Sequence, residues 1–191
     1  MQVAVVVPVR AFSDAKQRLA SVLGASDRAA LARRLATNVV RAAGSLPVYV
    51  VCDDDEVAEW ARDHRATVLW RPAAGLNDAV TFGVEVVAEG GYSDALVAHG
   101  DLPHARDLTV VTGFDGVTLV PDRHEDGTNV ICLPVTSGFR FAYGPGSFAR
   151  HQAEAERAGL PLRVVRDHAL SWDVDVPADL VDDPSHAPVD R

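Results

Sequence analysis

Lysine, cysteine, methionine and aromatic side chains are all scarce in this chain, and each scarcity excludes something. Two cysteines in 191 residues allow no disulfide framework and no zinc spacing. Cys52 and Cys132 each sit inside an apolar run and read as buried free thiols. The apolar stretch at the N-terminus is far too short to span a bilayer. No positive region precedes it and no cleavage site follows, so the expectation is a cytoplasmic protein. Positive charge is short as well: 18 Lys and Arg against 27 Asp and Glu leave a net charge of −9. That balance argues against nucleic acid or an anionic membrane as partner. Repeats and low-complexity blocks are absent.

The one lysine is the informative exception. Lys16 is the sole lysine among the 18 basic residues, and it falls between Arg10 and Arg18, just after the apolar run Val3 to Val9. The β-branched content and length of that run predict a buried strand. Three cations within nine residues reverse the sign of an otherwise acidic chain. In an open α/β sheet, ligands bind beyond the carboxyl ends of the strands. The loop therefore reads either as an anion site, suited to nucleotide phosphates, or as a solvated loop in an arginine-rich composition.

Further along, strands and helices alternate. Asp14 to Leu23 reads as a short helix ended by Gly24, and Ser26 as the cap of a helix over Asp27 to Ala43. Pro47 to Cys52 is a strand. Asp53, Asp54 and Asp55 after it read mainly as a helix cap and acidic first turn, before a helix from Glu56 to His64. Strand Ala66 to Trp70 leads through Gly75 and Asn77, the latter placed as an N-cap, into a helix over Asp78 to Ala88. Ala95 to Ala98 then runs into His99-Gly-Asp-Leu-Pro. Repeated strand–helix units predict a parallel sheet. Gly116 to Val120 and Asn129 to Val135 are expected to pair across a polar loop. Gly144-Pro-Gly-Ser opens a helix over Phe148 to Ala158, followed by a strand, Leu162 to Val165, and a short helix near Pro177. At this length a single domain is expected over residues 1–181, with 182–191 a flexible tail.

Two acidic elements and one glycine-rich turn carry the candidate chemistry. Asp101 should project from the carboxyl edge of the sheet. Asp173 and Asp175, two apart in an extended segment, point the same way. Together they suit magnesium, which takes few protein ligands and completes its shell with water and phosphates. Asp-Val-Asp before a proline also reads as a turn and helix cap. Gly144 to Ser147 offers amides, a hydroxyl and a helix N-terminus to a phosphate or carboxylate, with Thr128 and Arg140 as companions, or is simply a helix cap. His99, His124 and His151 have no paired nucleophile, and His99 reads as a hydrogen-bonding loop residue.

The segments VPVRAFSDAKQRL, GLNDAV, HGDLP, PDRHEDGTNVICLP, FRFAYGPGSFARH and WDVDVPADL, in this order over about Val3 to Leu180, resemble the family of 2-phospholactate and phosphoenolpyruvate guanylyltransferases. These enzymes make the guanylated precursor of coenzyme F-420. The resemblance implies a single-domain α/β nucleotidyltransferase-like (GT-A/Rossmann-like) fold, a three-layer sandwich on a mostly parallel sheet. It implies GTP and a small phosphorylated carboxylic acid as substrates, magnesium as cofactor, and pyrophosphate as the second product. Thr128, Gly144 and Ser147 match the segments binding the acid. Asp101, Asp173 and Asp175 match the metal positions. Arg10, Lys16 and Arg18 would hold the GTP phosphates, with Pro8 in the same nucleotide-binding stretch, and Gly75 and Asn77 would receive the nucleoside. Lys16, Arg18 and Asp101 would carry catalysis by in-line attack of the acid's phosphate on the α-phosphorus of GTP. Arg10 stands where lysine is common and His104 where an apolar residue is common. Phosphoenolpyruvate, 2-phospholactate and 3-phosphoglycerate remain open as acceptors, as do a sugar phosphate, a non-catalytic GTP-binding module and the oligomeric state, homodimer included.

Overall fold

A computed structural model describes residues 2–72 and 75–181; the expected tail, 182–191, lies outside the described residues. Strand β1 (Val3–Pro8) is followed by two short 3-10 turns, then helix α1 (Ala25–Ala42), β2 (Val48–Cys52) and α2 (Asp55–Asp63). The chain continues through β3 (Thr67–Trp70), α3 (Leu76–Glu89), β4 (Asp94–Ala98), β5 (Val117–Pro121) and β6 (Thr128–Pro134). It closes with α4 (Ser147–Arg157), β7 (Leu162–Val164) and the short helices α5 (His168–Ser171) and α6 (Pro177–Val181).

The seven strands form one sheet in the order β3-β2-β1-β4-β6-β5-β7. β1 pairs in parallel with β2 and β4, and β2 with β3. β6 runs antiparallel to both β4 and β5, while β5 and β7 are parallel. The strand pair expected across the polar loop 122–127 is this β5–β6 hairpin. Its loop is organised by Asp122, whose carboxylate accepts from the amides of His124, Asp126 and Gly127 at 2.9, 3.0 and 2.7 Å.

Helices cover both faces, so the central strands are apolar on both sides, as a buried parallel sheet requires. Ala4 and Val6 of β1 pack toward α3 and α4. Val3, Val5 and Val7 pack toward α1 and α5, and α1 with α2 buries the flanking cluster around Phe12 and Trp60. At Gly83 of α3 the helix approaches the sheet so closely that a Cβ would stand 2.5 Å from Val6 Cγ1 and 3.0 Å from Val51 Cγ2. Any larger residue there would push α3 off the strands.

Three local expectations fail for identifiable reasons. Residues 14–23 are not one helix: Lys16 adopts a left-handed backbone, φ 55°, that divides the segment into 3-10 turns at Phe12–Asp14 and Gln17–Leu19. Ser26 does not cap α1; Gly24 holds that position and Ser26 lies within the helix. Asn77 does not cap α3 either, because Gly75 does. Asp54, in contrast, caps α2 through its side chain, accepting from Val57 N at 3.0 Å.

Candidate active site

Beyond the carboxyl ends of β1, β2 and β4 lies a cavity of about 550 Å³. Its wall includes Pro8 and Arg10 after β1, Asp53 after β2, and His99 and Asp101 after β4. Such a position, where the connections from β1 and β4 diverge, is the general ligand site of open α/β sheets. Lys16 and Arg18 reach the same cavity from the 3-10 turns.

Lys16 is the centre of the site. Its side chain is 9% exposed, and Nζ lies 2.6 Å from Asp101 Oδ2 and 3.1 Å from Asp175 Oδ1. Burial by itself would lower the ammonium's pKa, but Asp101 and Asp175 outweigh it and hold the group above its ordinary value. Burial would equally raise Asp101; Lys16 and His99 reverse that and keep its carboxyl low. Arg18 is mostly exposed, 3.7 Å from Asp175 Oδ2. A left-handed backbone is uncommon for a residue with a long side chain, and this one aims a buried cation at two acids 85 and 159 residues away in sequence.

The acidic segment 172–175 is held in place by residues that sequence reasoning missed. Asp179 accepts from the amides of Asp175 and Val176 at 2.5 and 2.7 Å. Arg123 donates to Asp179 and to the Asp173 carbonyl, and its guanidinium lies 4.4 Å over the Trp172 ring. On the other side, Asn38 Nδ2 reaches the carbonyls of Leu102, Pro103 and Ala105 at 3.0, 3.1 and 2.9 Å, fixing the loop after Asp101. A capping signal at Asp179 was legible as an acidic residue in a first helical turn; the long-range roles of Asn38 and Arg123 had no local signal.

Among the described residues no three acidic, histidine or cysteine side chains converge as a ready metal cluster. The donor set nevertheless fits a hard divalent cation. Asp101 Oδ1 is buried without a hydrogen-bond partner among the described residues. Asp173 is raised to about 7 by burial and then by the neighbouring Asp101 and Asp175 carboxylates. Negative charge is thus in local excess, with Lys16 as the cation between Asp101 and Asp175.

The residues expected to bind the acid form a second layer. Gly144 and Gly146 take positive φ, 119° and 71°, and lead into α4. Gly146 N and Phe148 N donate to Asp126 Oδ2 and O, both at 3.0 Å, tying this turn to the loop before Thr128. Arg150 folds back over the turn to the carbonyls of Ala142 and Pro145. Thr128 and Ser147 are buried. His151 Nε2 accepts from Ala142 N at 3.0 Å, which leaves Nδ1 to donate to Thr128 Oγ1 at 3.0 Å. Asn77, expected at the nucleoside, instead accepts from Tyr143 N at 2.7 Å and buttresses this layer. Gly75 leaves open space where a Cβ would stand. Arg140 is not gathered in: its amide and guanidinium both meet Glu154, and its side chain is 70% exposed. Arg71, overlooked as a site residue, lines the main cavity and pairs with Asp78 through both Nε and Nη2.

Residues 3–186 match the family described as "Guanylyl transferase CofC like". The chain belongs to this family. It is 38% identical to the phosphoenolpyruvate guanylyltransferase of Sphaerobacter thermophilus, over 96% of this chain and 93% of that one. To the protein of that name from Conexibacter woesei it is 37% identical, over 92% and 84% of the two chains. Among solved structures, a protein described as a nucleotide-diphospho-sugar transferase from Desulfovibrio desulfuricans superposes with a TM-score of 0.73 at 17% identity, covering 94% of this chain and 85% of that one. A glucosyl-3-phosphoglycerate synthase from Mycobacterium tuberculosis, solved with Mg2+ and uridine-diphosphate, gives 0.58 at 13% identity, covering 94% and 74%. At those identities the likeness is one of fold, and that fold is the one expected: a single-domain α/β sandwich on a mostly parallel sheet. As a family member the chain is a nucleotidyltransferase enzyme.

Proposed function

We propose that this family member transfers the guanylyl group of GTP to the phosphate of phosphoenolpyruvate, releasing pyrophosphate and leaving a guanylated acid for coenzyme F-420 assembly in the cytoplasm. The carrying observation is the sole lysine, buried against Asp101 and Asp175 at the edge of a nucleotide-sized cavity. A phosphate oxygen of the acid forms the new bond to the α-phosphorus of GTP, and the bond from that phosphorus to the β-phosphate oxygen breaks. A phosphate monoester is already an anion near neutral pH, so no general base is needed. Lys16 and Arg18 stabilise charge on the α-phosphate and the departing pyrophosphate. Arg10 attracts the triphosphate to the cavity rim, and Thr128, Gly144 and Ser147 orient the acid.

Asp101, Asp173 and Asp175 would hold Mg2+. When bound, the ion supplies charge neutralisation between the two anionic substrates. Sequence kinship to enzymes named for phosphoenolpyruvate supports that acceptor. The reading is tested by offering phosphoenolpyruvate, 2-phospholactate and 3-phosphoglycerate separately with each nucleoside triphosphate and following pyrophosphate. Release only with GTP and phosphoenolpyruvate is expected. Release with another triphosphate or another acid names a different donor or acceptor and overturns the reading.

A further inference from the structure

The ammonium that neutralises the acidic end of the cavity sits on carboxylate oxygens that a divalent ion would also claim. Lys16 Nζ lies 2.6 Å from Asp101 Oδ2 and 3.1 Å from Asp175 Oδ1. The second oxygen of Asp175 faces the Arg18 guanidinium at 3.7 Å. Magnesium takes its oxygens at about 2.0–2.1 Å in near-octahedral geometry. Seated on Asp101 and Asp175, it would stand beside the Lys16 ammonium, and two cations about 4 Å apart repel strongly wherever water is sparse. Water is sparse here, since the side chains of Lys16 and Asp101 are only 9% and 20% exposed. The ammonium has another place to go. Lys16 lines the cavity, and among the described residues Nζ makes hydrogen bonds only to Asp101 and Asp175. Its flexible stem can turn the charge from the carboxylates to an anion in the cavity by side-chain rotation alone.

We propose that Lys16 is a built-in counter-ion that competes with the divalent ion for Asp101 and Asp175, so that the metal binds tightly only once a nucleoside triphosphate draws the ammonium onto its phosphates. The inference rests on the guanylyl-transfer reading and on its assignment of Mg2+ to these carboxylates. One side chain then serves twice. It neutralises carboxylates that would be costly to leave unpaired away from water, and once released it stabilises charge at phosphorus. The linkage is reciprocal: the factor by which the triphosphate tightens the metal is the factor by which the metal tightens the triphosphate.

Lys16→Met keeps most of the stem and removes the charge. Binding of Mn2+ to the substrate-free protein, followed by EPR, is expected to tighten by about tenfold or more in this variant, as a like-charge contact is relieved. Lys16→Arg keeps the charge and should bind Mn2+ as wild type does. A lysine that only props the fold predicts the opposite sign, because disturbing it would weaken the metal. In chelator Lys16→Met should melt below wild type, and Mg2+ should raise its melting temperature by more than it raises that of wild type. The wild-type protein carries a readout of its own, because Lys16 is the only lysine. Lysine labelled with 13C at Cε gives one side-chain NMR signal, which should move as added Mg2+ saturates the thermal shift. Equal or weaker Mn2+ affinity in Lys16→Met, or an unmoved Cε signal, would mean that both cations sit side by side. Either result overturns the inference and leaves guanylyl transfer intact. Wild type that releases no pyrophosphate from GTP with any of the acids would remove the underlying reading itself.

Discussion

Lys16 concentrates most of the site's chemistry in one side chain. Its ammonium balances Asp101 and Asp175 in the free protein and is the group best placed to meet a triphosphate entering the cavity. Lys16→Ala is expected to cut kcat by about a hundredfold or more, the usual scale for removing one preorganised donor to developing charge. KM for the acid should change little. Stopped-time pyrophosphate assays over both substrate concentrations check this, and an unchanged kcat would contradict the role. That this lysine would lie at the carboxyl edge of the sheet was legible from its place just after the first apolar run. That it reaches two carboxylates was not, since the contacts span 85 and 159 residues and depend on a left-handed backbone that no local pattern announces.

His151 makes a separate, pH-dependent prediction. Burial, then Arg150 and His99, lower its pKa from 6.5 to about 4. The unfolded chain therefore binds a proton at this residue between pH 6.5 and 4 that the folded chain refuses. Stability should be full above 6.5, fall as pH drops through that window, and level off below 4. The integrated loss is at most about 3 kcal/mol. Protonation would also destroy the acceptor that Ala142 N uses. His151→Gln should flatten this part of the stability–pH curve in urea titrations, relative to wild type; an identical slope would contradict the assignment.

At the scale of elements, strands and long helices were legible because they are apolar with the right period. β1 to β4 and α1 to α4 fall within a few residues of expectation. The errors lie where backbone conformation outranks composition. Ser26 and Asn77 looked like caps, yet Gly24 and Gly75, in extended conformation before each helix, hold those positions. Asn77 is freed thereby to hold Tyr143. The loops that present the site are fixed by single long-range side chains, Asn38 for the segment after Asp101 and Arg123 for the segment around Asp173. Asn38→Ala leaves three carbonyls without that donor and should cost about 1–3 kcal/mol of stability. A displaced Asp101 should lower kcat by about ten- to a hundredfold. Denaturant unfolding and kinetics on the same preparation test both; a loss of stability with unaltered kcat would remove the link between the loop and the chemistry.

For the whole molecule, the governing problem is sign. A chain of net charge −9 must bring two anions together. Arg10, Lys16, Arg18 and Arg71 line one cavity at the carboxyl edge of the sheet, set against that overall charge. The order of motifs made the fold class and this edge legible. The placing of the Gly144–Ser147 turn in a second layer beside the main cavity was not, because it arises only when β4, β6 and the start of α4 are packed side by side. The central claim is that both layers serve one displacement at the α-phosphorus of GTP. Phosphorus NMR of a mixture of the protein, Mg2+, GTP and phosphoenolpyruvate tests it most directly. The account predicts equal growth of free pyrophosphate and of one diphosphodiester bearing guanosine and the enol acid. GDP and inorganic phosphate appearing instead, or GTP persisting unchanged, would contradict it.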